Sequence, residues 1–322
     1  MASFVKPPPS PFEPPPLGYR IISSPLKTIA QALYSVILYF RGSPSTKPHP
    51  SSSIRLVCIS DTHTQKPASL PPGDVLIHAG DLSNDGSVAE IQDQVNWLSS
   101  LPYKHILVVC GNHDSYFDPR SRRKDDINKE INWGKIHYLQ HSGLELTLPD
   151  HGNRCLSFYG APQIPRCGGD EFAFQYERDE DAWSGTVPRD TDVLVTHTPP
   201  RHHLDLPGGL GCEFLLKEVW QVKPKVHIVG HVHAGYGREY CYWDEAQRSF
   251  EMLCARGETG ILRDVVSLHA WMNLFKLAAY GLLGMMWTKV WGGTNGESLI
   301  VNASLTYRST GQLKNPPQVI DI

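Results

Sequence analysis

Five short apolar runs in this chain each end in residues that can bind a metal ion or move a proton. The runs are "IRLVCIS" (54–60), "DVLIHAG" (74–80), "HILVVCG" (105–111), "DVLVTH" (192–197) and "VHIVGH" (226–231). Loops at the carboxyl ends of strands in an open α/β sheet line one crevice, so we expect the side chains there to lie together. In chain order these residues are Asp61, His63, Asp81, Asn112, His113, Asp114, His197, His231 and His233.

The residue types in this set indicate a metal site. Carboxylates, imidazoles and one amide oxygen suit Mn, Fe, Zn or Ni, and the absence of thiolates argues against a structural zinc site. The set is too large for one ion but suits two ions that share a carboxylate. Two such ions can generate a nucleophile from water and stabilise both the attacking and the leaving oxygen of a phosphoester.

The elements that must position these residues are predicted to be buried strands and amphipathic helices. Continuous apolarity in the five runs favours strands covered on both faces, as in a layered α/β fold. Val88, Ile91, Val95 and Leu98 recur at helical spacing between the second and third runs. Further helices are predicted at 119–132 and 210–222, and further strands at 144–148 and 155–160.

The ordered series D-x-H, GD, GNH(D), H and GHxH resembles the calcineurin-like metallophosphoesterase superfamily from Ile54 to about Tyr236. "HAGDLS", "THTPP" and "GHVHAGYG" are most similar to the small metallophosphoesterase-domain proteins, the brain-type group that resembles class III cyclic-nucleotide phosphodiesterases. The resemblance implies an α/β fold of four layers, in which a two-sheet β-sandwich is flanked by helices and carries metals at its strand ends.

The resemblance also implies roles for the individual residues. The first of two divalent or trivalent ions (Mn, Fe or Zn) would be bound by Asp61, His63, Asp81 and His233. The second would be bound by Asp81 as the bridge and by Asn112, His197 and His231. His113 would face the phosphate as a non-ligand histidine, and Asp114 would fix its tautomer.

The activity expected from this arrangement is hydrolysis of a small nucleotide-like or cyclic phosphodiester by a hydroxide that bridges the metals. Three alternatives stay open at this point. They are a phosphomonoesterase or protein phosphatase, a membrane-surface hydrolase of lipid-derived phosphoesters, and a non-catalytic metal-binding scaffold.

Composition narrows the classes of partner. The 322 residues are 40% hydrophobic and 20% charged, which is typical of a folded globular protein. The net charge is −3 and no long basic run occurs, so no nucleic-acid partner is expected.

Seven cysteines without a C-x-x-C pair favour a reducing compartment. We therefore expect a cytoplasmic location, with membrane association as the alternative.

Two apolar segments lie outside the series of strand ends. Residues 1–53 are predicted to be a Pro-rich, mostly disordered arm with a short apolar helix, and residues 54–322 the metallophosphoesterase domain. An apolar insertion is predicted at about 238–297. Its segment Trp271–Trp291 has three interpretations: a helical hairpin packed on the core, an interfacial helix in peripheral contact with a membrane, or a transmembrane helix.

Four histidines near these motifs are expected to have no catalytic role. His202 and His203 are predicted to lie in a solvated loop, and His78 and His227 are predicted to pack inside the fold.

Overall fold

The first of two central sheets is mostly parallel. The computed structural model describes residues 6–7, 10–42, 53–293 and 296–322. The strands of this sheet are β1 (Arg55–Ile59), β2 (Val75–Ala79), β3 (His105–Val109), β4 (Ile136–Tyr138) and β13 (Gln318–Asp321). Their order is β13-β1-β2-β3-β4, with β1 to β4 parallel and β13 antiparallel at one edge.

The second sheet has a parallel centre between two antiparallel edge strands. Its strands are β5 (Ser142–Leu148), β6 (Arg154–Ala161), β9 (Val193–Thr196), β10 (Val226–Val229), β11 (Gly237–Cys241) and β12 (Ser298–Asn302). The order is β11-β12-β10-β9-β6-β5, and β5 and β11 are the antiparallel edges. A separate pair is formed by β7 (Ile164–Pro165) and β8 (Gln175–Tyr176).

The two sheets pack face to face and each is covered by a helix on its outer face. Side chains of both inner faces, among them Leu56, Ile77, Phe158 and Ile228, form one apolar core. Helix α3 (Val88–Ser100) covers the first sheet and α4 (Glu213–Val222) the second. The predicted fold class, a two-sheet sandwich flanked by helices, is confirmed. Burial on both faces is the physical reason that the strands read as continuous apolar runs.

Five further helices form a second body, which we call the helical unit. It consists of α1 (Leu17–Ser23), α2 (Pro25–Arg41), α5 (Glu245–Cys254), α6 (Gly260–Val265) and α7 (Leu268–Lys289). Helix α2 packs against α5 and α7, and α1 packs against α2 and α6. The unit has its own apolar core, which includes Leu26, Ala30, Tyr34, Ile37, Phe250, Leu253, Leu274 and Leu277.

The structure differs from the mostly disordered arm that the sequence predicts for residues 1–53. Residues 17–23 and 25–41 are helical and packed, because the insertion supplies the core that the arm lacks. Two polar contacts add to this packing: Arg41 pairs with Asp244 at 2.5 Å, and Asp264 accepts a hydrogen bond from the Leu26 backbone amide at 2.7 Å. The linker at 43–52 and parts of the Pro-rich tract lie outside the described residues.

The insertion is also composed differently from the prediction. Strand β11 at its start belongs to the second sheet, so the helical part begins only at Glu245. Within it, α7 buries one side against α2 and α5 and exposes the other. None of the helices in the described ranges is both long and apolar enough to cross a membrane.

The helix predicted at 119–132 is wrong. This stretch is a loop with one short 3₁₀ turn at Lys124–Asp126. Aspartates in it and just before it accept hydrogen bonds from distant backbone amides: Asp126 from Val88 at 3.2 Å and Asp118 from Phe174 at 2.7 Å. Such side-chain contacts to the backbone compete with helix formation.

The seven cysteines are all free thiols.

Candidate metal centre

The five predicted strand ends meet at one edge of the sandwich. Asp61 and Asp81 follow β1 and β2 of the first sheet, and His197 and His231 follow β9 and β10 of the second. Asp61, His63, Asp81 and His231 all have positive φ, between 45° and 63°. Left-handed backbone is unfavourable for these residue types and concentrates at functional sites, where the fold holds it in place.

The first donor cluster contains Asp61, His63 and His233. The Asp61 carboxylate is fully buried, and its Oδ1 lies 3.2 Å from Nε2 of His233. The Nε2 atoms of His63 and His233 are 3.5 Å apart. Three potential ligand atoms therefore point at a common position.

The second donor cluster contains Asp81, Asn112, His197 and His231. Nε2 of His197 lies 3.3 Å from Oδ2 of Asp81 and 3.1 Å from Oδ1 of Asn112. The rings of His197 and His231 are 5.2 Å apart. The same Oδ2 of Asp81 is 3.9 Å from Nε2 of His63, so this carboxylate lies between the two clusters.

Backbone carbonyls orient two of these imidazoles. Nδ1 of His197 donates to the Ala79 carbonyl at 2.8 Å, and Nδ1 of His233 donates to the Arg308 carbonyl at 3.0 Å. Both rings consequently present Nε2 to the site, which the sequence could not show. Holding a ligand histidine by its other nitrogen is the usual arrangement in metal sites.

The charges of the bare donor set suit cation binding. Burial would raise the pKa of Asp81, but the imidazoles of His197 and His113 hold it well below its usual range. Burial opposes protonation of His197, yet Asp81 raises the pKa of this imidazole to about 9. Burial and the neighbouring His197 lower the pKa of His231 to about 3. Two buried carboxylates thus stay ionised, and a bound cation would take the place of the proton on His197.

This donor set fits divalent metal ions. Two buried carboxylates, four imidazoles and one amide oxygen converge without a thiolate, which matches the chemistry of Mn, Fe or Zn. Asp81 is the carboxylate placed to serve both positions.

His113 forms a third candidate metal-binding group with His63 and Asp81, next to the two clusters described above. Its ring is 4.8 Å from that of His63 and 5.0 Å from that of Phe172. Nδ1 of His113 donates to the Asn84 carbonyl at 2.8 Å, and its backbone amide donates to Oδ1 of Asp81 at 2.9 Å. The free Nε2 is therefore the nitrogen available for a ligand or a proton.

The predicted role of Asp114 is corrected. Its carboxylate does not contact the His113 ring, whose Nδ1 is held by Asn84. Asp114 is fully buried and accepts hydrogen bonds from the backbone amides of Leu82, Ser83 and Gly111 and from the Ser83 hydroxyl, at 2.7–3.2 Å. It therefore joins the Asp81 loop to the Asn112 loop.

Two glycines allow the loops to approach one another. A Cβ on Gly111 would lie 2.3 Å from Oδ1 of Asp81, and one on Gly230 would lie 2.5 Å from Oδ2 of Asp61. Both positions need a residue without a side chain because a buried carboxylate occupies that space.

Two features near the site were not predicted from the sequence. The ring of Phe12 packs edge-on against His231 at 5.8 Å, and Glu13 accepts a hydrogen bond from the Ser309 hydroxyl at 3.2 Å. A cavity of about 330 Å³ lies between α2 and the loops after β9 and β10, lined by Lys27, His202, Leu204, Gly235 and Tyr236 among others. The N-terminal segment thus borders the metal ligands.

The solvated position predicted for His203 is wrong. The ring is fully buried, with Nδ1 at 2.9 Å from Glu239 and Nε2 at 3.0 Å from Glu251. These carboxylates belong to β11 and α5, so the insertion supplies the partners that make burial possible. His78 and His227 pack inside the fold, as predicted, beside the Thr62 and Thr196 hydroxyls.

Parts of this chain are similar to known proteins. The profile of the calcineurin-like phosphoesterase family matches residues 54–235. The chain is 36% identical over 207 residues to a UPF0046 protein of Caenorhabditis elegans, covering 61% of this chain and 68% of that protein. It is 35% identical over 214 residues to metallophosphoesterase domain-containing protein 1 of Homo sapiens, covering 60% and 65%.

A third relative is much longer. Over 290 residues the chain is 35% identical to a protein of Emericella nidulans named probable rhamnogalacturonate lyase C. The match covers 88% of this chain but 26% of that protein, so the chain spans about a quarter of its length.

Proposed function

The chain belongs to the calcineurin-like phosphoesterase family, and from this premise we propose that it is a two-metal phosphodiesterase acting on a small nucleotide-like or cyclic phosphodiester. The family's chemistry is metal-dependent hydrolysis of phosphoesters. The observation that carries the proposal is the placement of Asp81, whose Oδ2 lies within 3.9 Å of a histidine of each donor cluster. One carboxylate shared between two sites is what a two-ion centre requires.

Each ion has a defined set of ligands in this proposal. The first would be held by Asp61, His63, Asp81 and His233, and the second by Asp81, Asn112, His197 and His231. When bound, such a pair lowers the pKa of water and neutralises charge on the phosphoryl oxygens. The burial of both carboxylates excludes bulk water from the ligand atoms and fixes their positions.

His113 completes the reaction as the proton donor. The hydrogen bond to Asn84 fixes one proton on Nδ1, so Nε2 faces the substrate and donates a proton only when the ring carries a second one. As the oxygen of water bonds to phosphorus, the water releases a proton to solvent, the bond from phosphorus to the leaving oxygen breaks, and that oxygen takes the proton on Nε2 of the doubly protonated His113 ring. A positioned histidine typically contributes about 10²–10⁴-fold to such a step.

Two observations support a small, nucleotide-like substrate. The Phe172 ring beside His113 offers a flat apolar surface at the site. The net charge of −3 does not favour a long polyanion. The lyase activity in the name of the Emericella nidulans relative is not part of the proposal, because the chain matches only 26% of that protein.

The test is a substrate panel with controlled metal content. The protein is chelated, reloaded with Mn, Fe or Zn, and assayed with phosphomonoesters, linear diesters, and 2′,3′- and 3′,5′-cyclic nucleotides. We expect diesters to be hydrolysed faster than monoesters. A preference for monoesters would favour the phosphatase alternative, and no hydrolysis by protein shown to carry two ions would favour the scaffold.

His113→Ala is the matched control for this panel, because His113 is not among the proposed ligands. We expect it to keep two ions per chain while turnover falls sharply. Unchanged turnover would contradict the role given to His113.

A further inference from the structure

Exposed apolar side chains are concentrated on the helical unit. Among the described residues, every exposed large hydrophobic side chain except Ile127, Met252 and Tyr307 lies on α1, on α2 or in the segment 261–291. Many of them are extensively exposed: Leu262 is 82% accessible, Phe275 74% and Val290 70%. Apolar surface on this scale marks a site of interaction with a membrane or a protein.

Helix α7 has the pattern of a helix that lies in a membrane interface. Its buried residues recur on one side, against α2 and α5. At about 100° per residue, the opposite side is formed by the exposed apolar residues Leu268, Met272, Phe275, Leu283, Met286 and Val290. Trp271, Trp287, Lys276 and Lys289 flank that side. Tryptophan and lysine at the border of an apolar face are typical of interfacial helices.

The charges on α1, α2 and α7 have one sign, whereas α5 exposes Glu245, which pairs with Arg248 at 3.4 Å. Helices α1, α2 and α7 contain no aspartate or glutamate. Asp264 of α6 is buried, where it accepts from the Leu26 amide and lies 3.4 Å from Arg256. The exposed charges that remain include Arg263, Lys276 and Lys289. Beside them, Glu258 in the loop before α6 accepts a hydrogen bond from the Tyr19 hydroxyl.

We propose that the helical unit docks on the interfacial region of a membrane that contains anionic phospholipid. The apolar side of α7 enters the boundary between headgroups and acyl chains, and the flanking lysines contact anionic headgroups. A second copy of the chain fits less well, because a symmetric dimer through this surface would bring lysines of the same sign together. The proposal is independent of the phosphoesterase activity, since it concerns binding alone.

Flotation of the full chain with vesicles tests this proposal. Phosphatidylcholine vesicles with and without phosphatidylserine are compared at low and high salt. We expect the protein to float with the anionic vesicles and to bind them less at high salt. The variant Leu262→Ser, Phe275→Ser, Val290→Ser should lose on the order of tenfold in partitioning for each side chain removed.

Control variants distinguish membrane binding by this surface from nonspecific binding of the protein to vesicles. Ile127 is 57% exposed and lies in the loop 119–132, outside the helical unit, so Ile127→Ser should float like the unmodified protein. Lys276→Glu with Lys289→Glu should weaken flotation on anionic vesicles far more than on neutral ones. Because all these side chains are exposed, circular dichroism should show that each variant folds.

Three outcomes would overturn the proposal. In the first, the protein does not float with either kind of vesicle. In the second, the triple variant floats as well as the unmodified protein. In the third, neither of these two proteins floats, and light scattering shows that the unmodified protein is a dimer and the triple variant a monomer. The last result would identify a second copy of the chain as the occupant of this surface.

Discussion

Asp114→Asn distinguishes two roles of Asp114: a bracing role, in which its hydrogen bonds join the Asp81 loop to the Asn112 loop, and a role in orienting His113. Oδ1 of Asp114 accepts from the amide and hydroxyl of Ser83, and Oδ2 accepts from the amides of Leu82 and Gly111. Asparagine has one oxygen, so either orientation turns its NH₂ group toward two donors. Two hydrogen bonds to a charged acceptor are then lost, at about 1.5–3 kcal/mol each.

Part of this loss is offset. Burial and the nearby Asp81 raise the pKa of Asp114, so removing its charge relieves an unfavourable interaction. We expect the free energy of unfolding to fall by about 2–4 kcal/mol, a large share of a typical stability of about 5–15 kcal/mol. Urea unfolding of the chelated protein measures this change, and elemental analysis of the reloaded protein should show fewer ions per chain.

His113→Ala provides the comparison. It should leave the urea midpoint nearly unchanged and reduce turnover. If Asp114→Asn instead unfolds at the same urea concentration and keeps both ions while turnover falls, Asp114 acts through His113 and the bracing role is refuted.

Three further substitutions test other parts of the structure. Gly111→Ala should abolish binding of both ions, because its Cβ would lie 2.3 Å from a carboxylate oxygen of Asp81. Gly208→Ala is the control and should keep both ions, since a Cβ at Gly208 would lie in open space. Full metal occupancy of both variants in elemental analysis would contradict this reasoning. Leu277→Ala should cost about 2–5 kcal/mol in urea unfolding, since Leu277 is fully buried in the helical unit; no change would mean that the unit does not unfold with the sandwich. Burial lowers the pKa of His227 from 6.5 to about 3. Below pH 6.5 the unfolded chain therefore binds a proton at His227 and the folded chain does not. The free energy of unfolding consequently falls by about 1.4 kcal/mol per pH unit as the pH drops toward 4. His227→Gln should flatten that slope in urea titrations by this amount, and an unchanged slope would show that His227 is not the group responsible.

The sandwich and its strand ends could be predicted because their signals are local. Each strand is a short apolar run, and the residue that follows it faces the same edge whatever the rest of the chain does. The series from Asp61 to His233 therefore converges in the structure as the residue pattern indicates.

The parts that were missed depend on distant partners. The apolar stripe of α2 contains too few residues to predict a core, and its partners lie in α5 and α7. His203 follows His197 in a polar stretch that predicts a loop, but in the structure it is buried against Glu239 and Glu251. Asp114 is adjacent to His113 in the chain, yet the backbone directs its carboxylate to other amides. Sequence spacing does not carry information of this kind.

The contact between segments that are far apart in the sequence has a consequence for the synthesis of this fold. Leu26 and Asp264, which bond within the helical unit, are 238 residues apart. At about 5–20 residues per second, the ribosome would need roughly 12–48 s to cover that distance. During this interval α2 has emerged with its apolar stripe uncovered. The last strands matter equally, because β12 lies between β10 and β11, and β13 pairs with β1. Residues 17–41 and 245–321 therefore complete one another, and the fold closes only after residue 321 has been made.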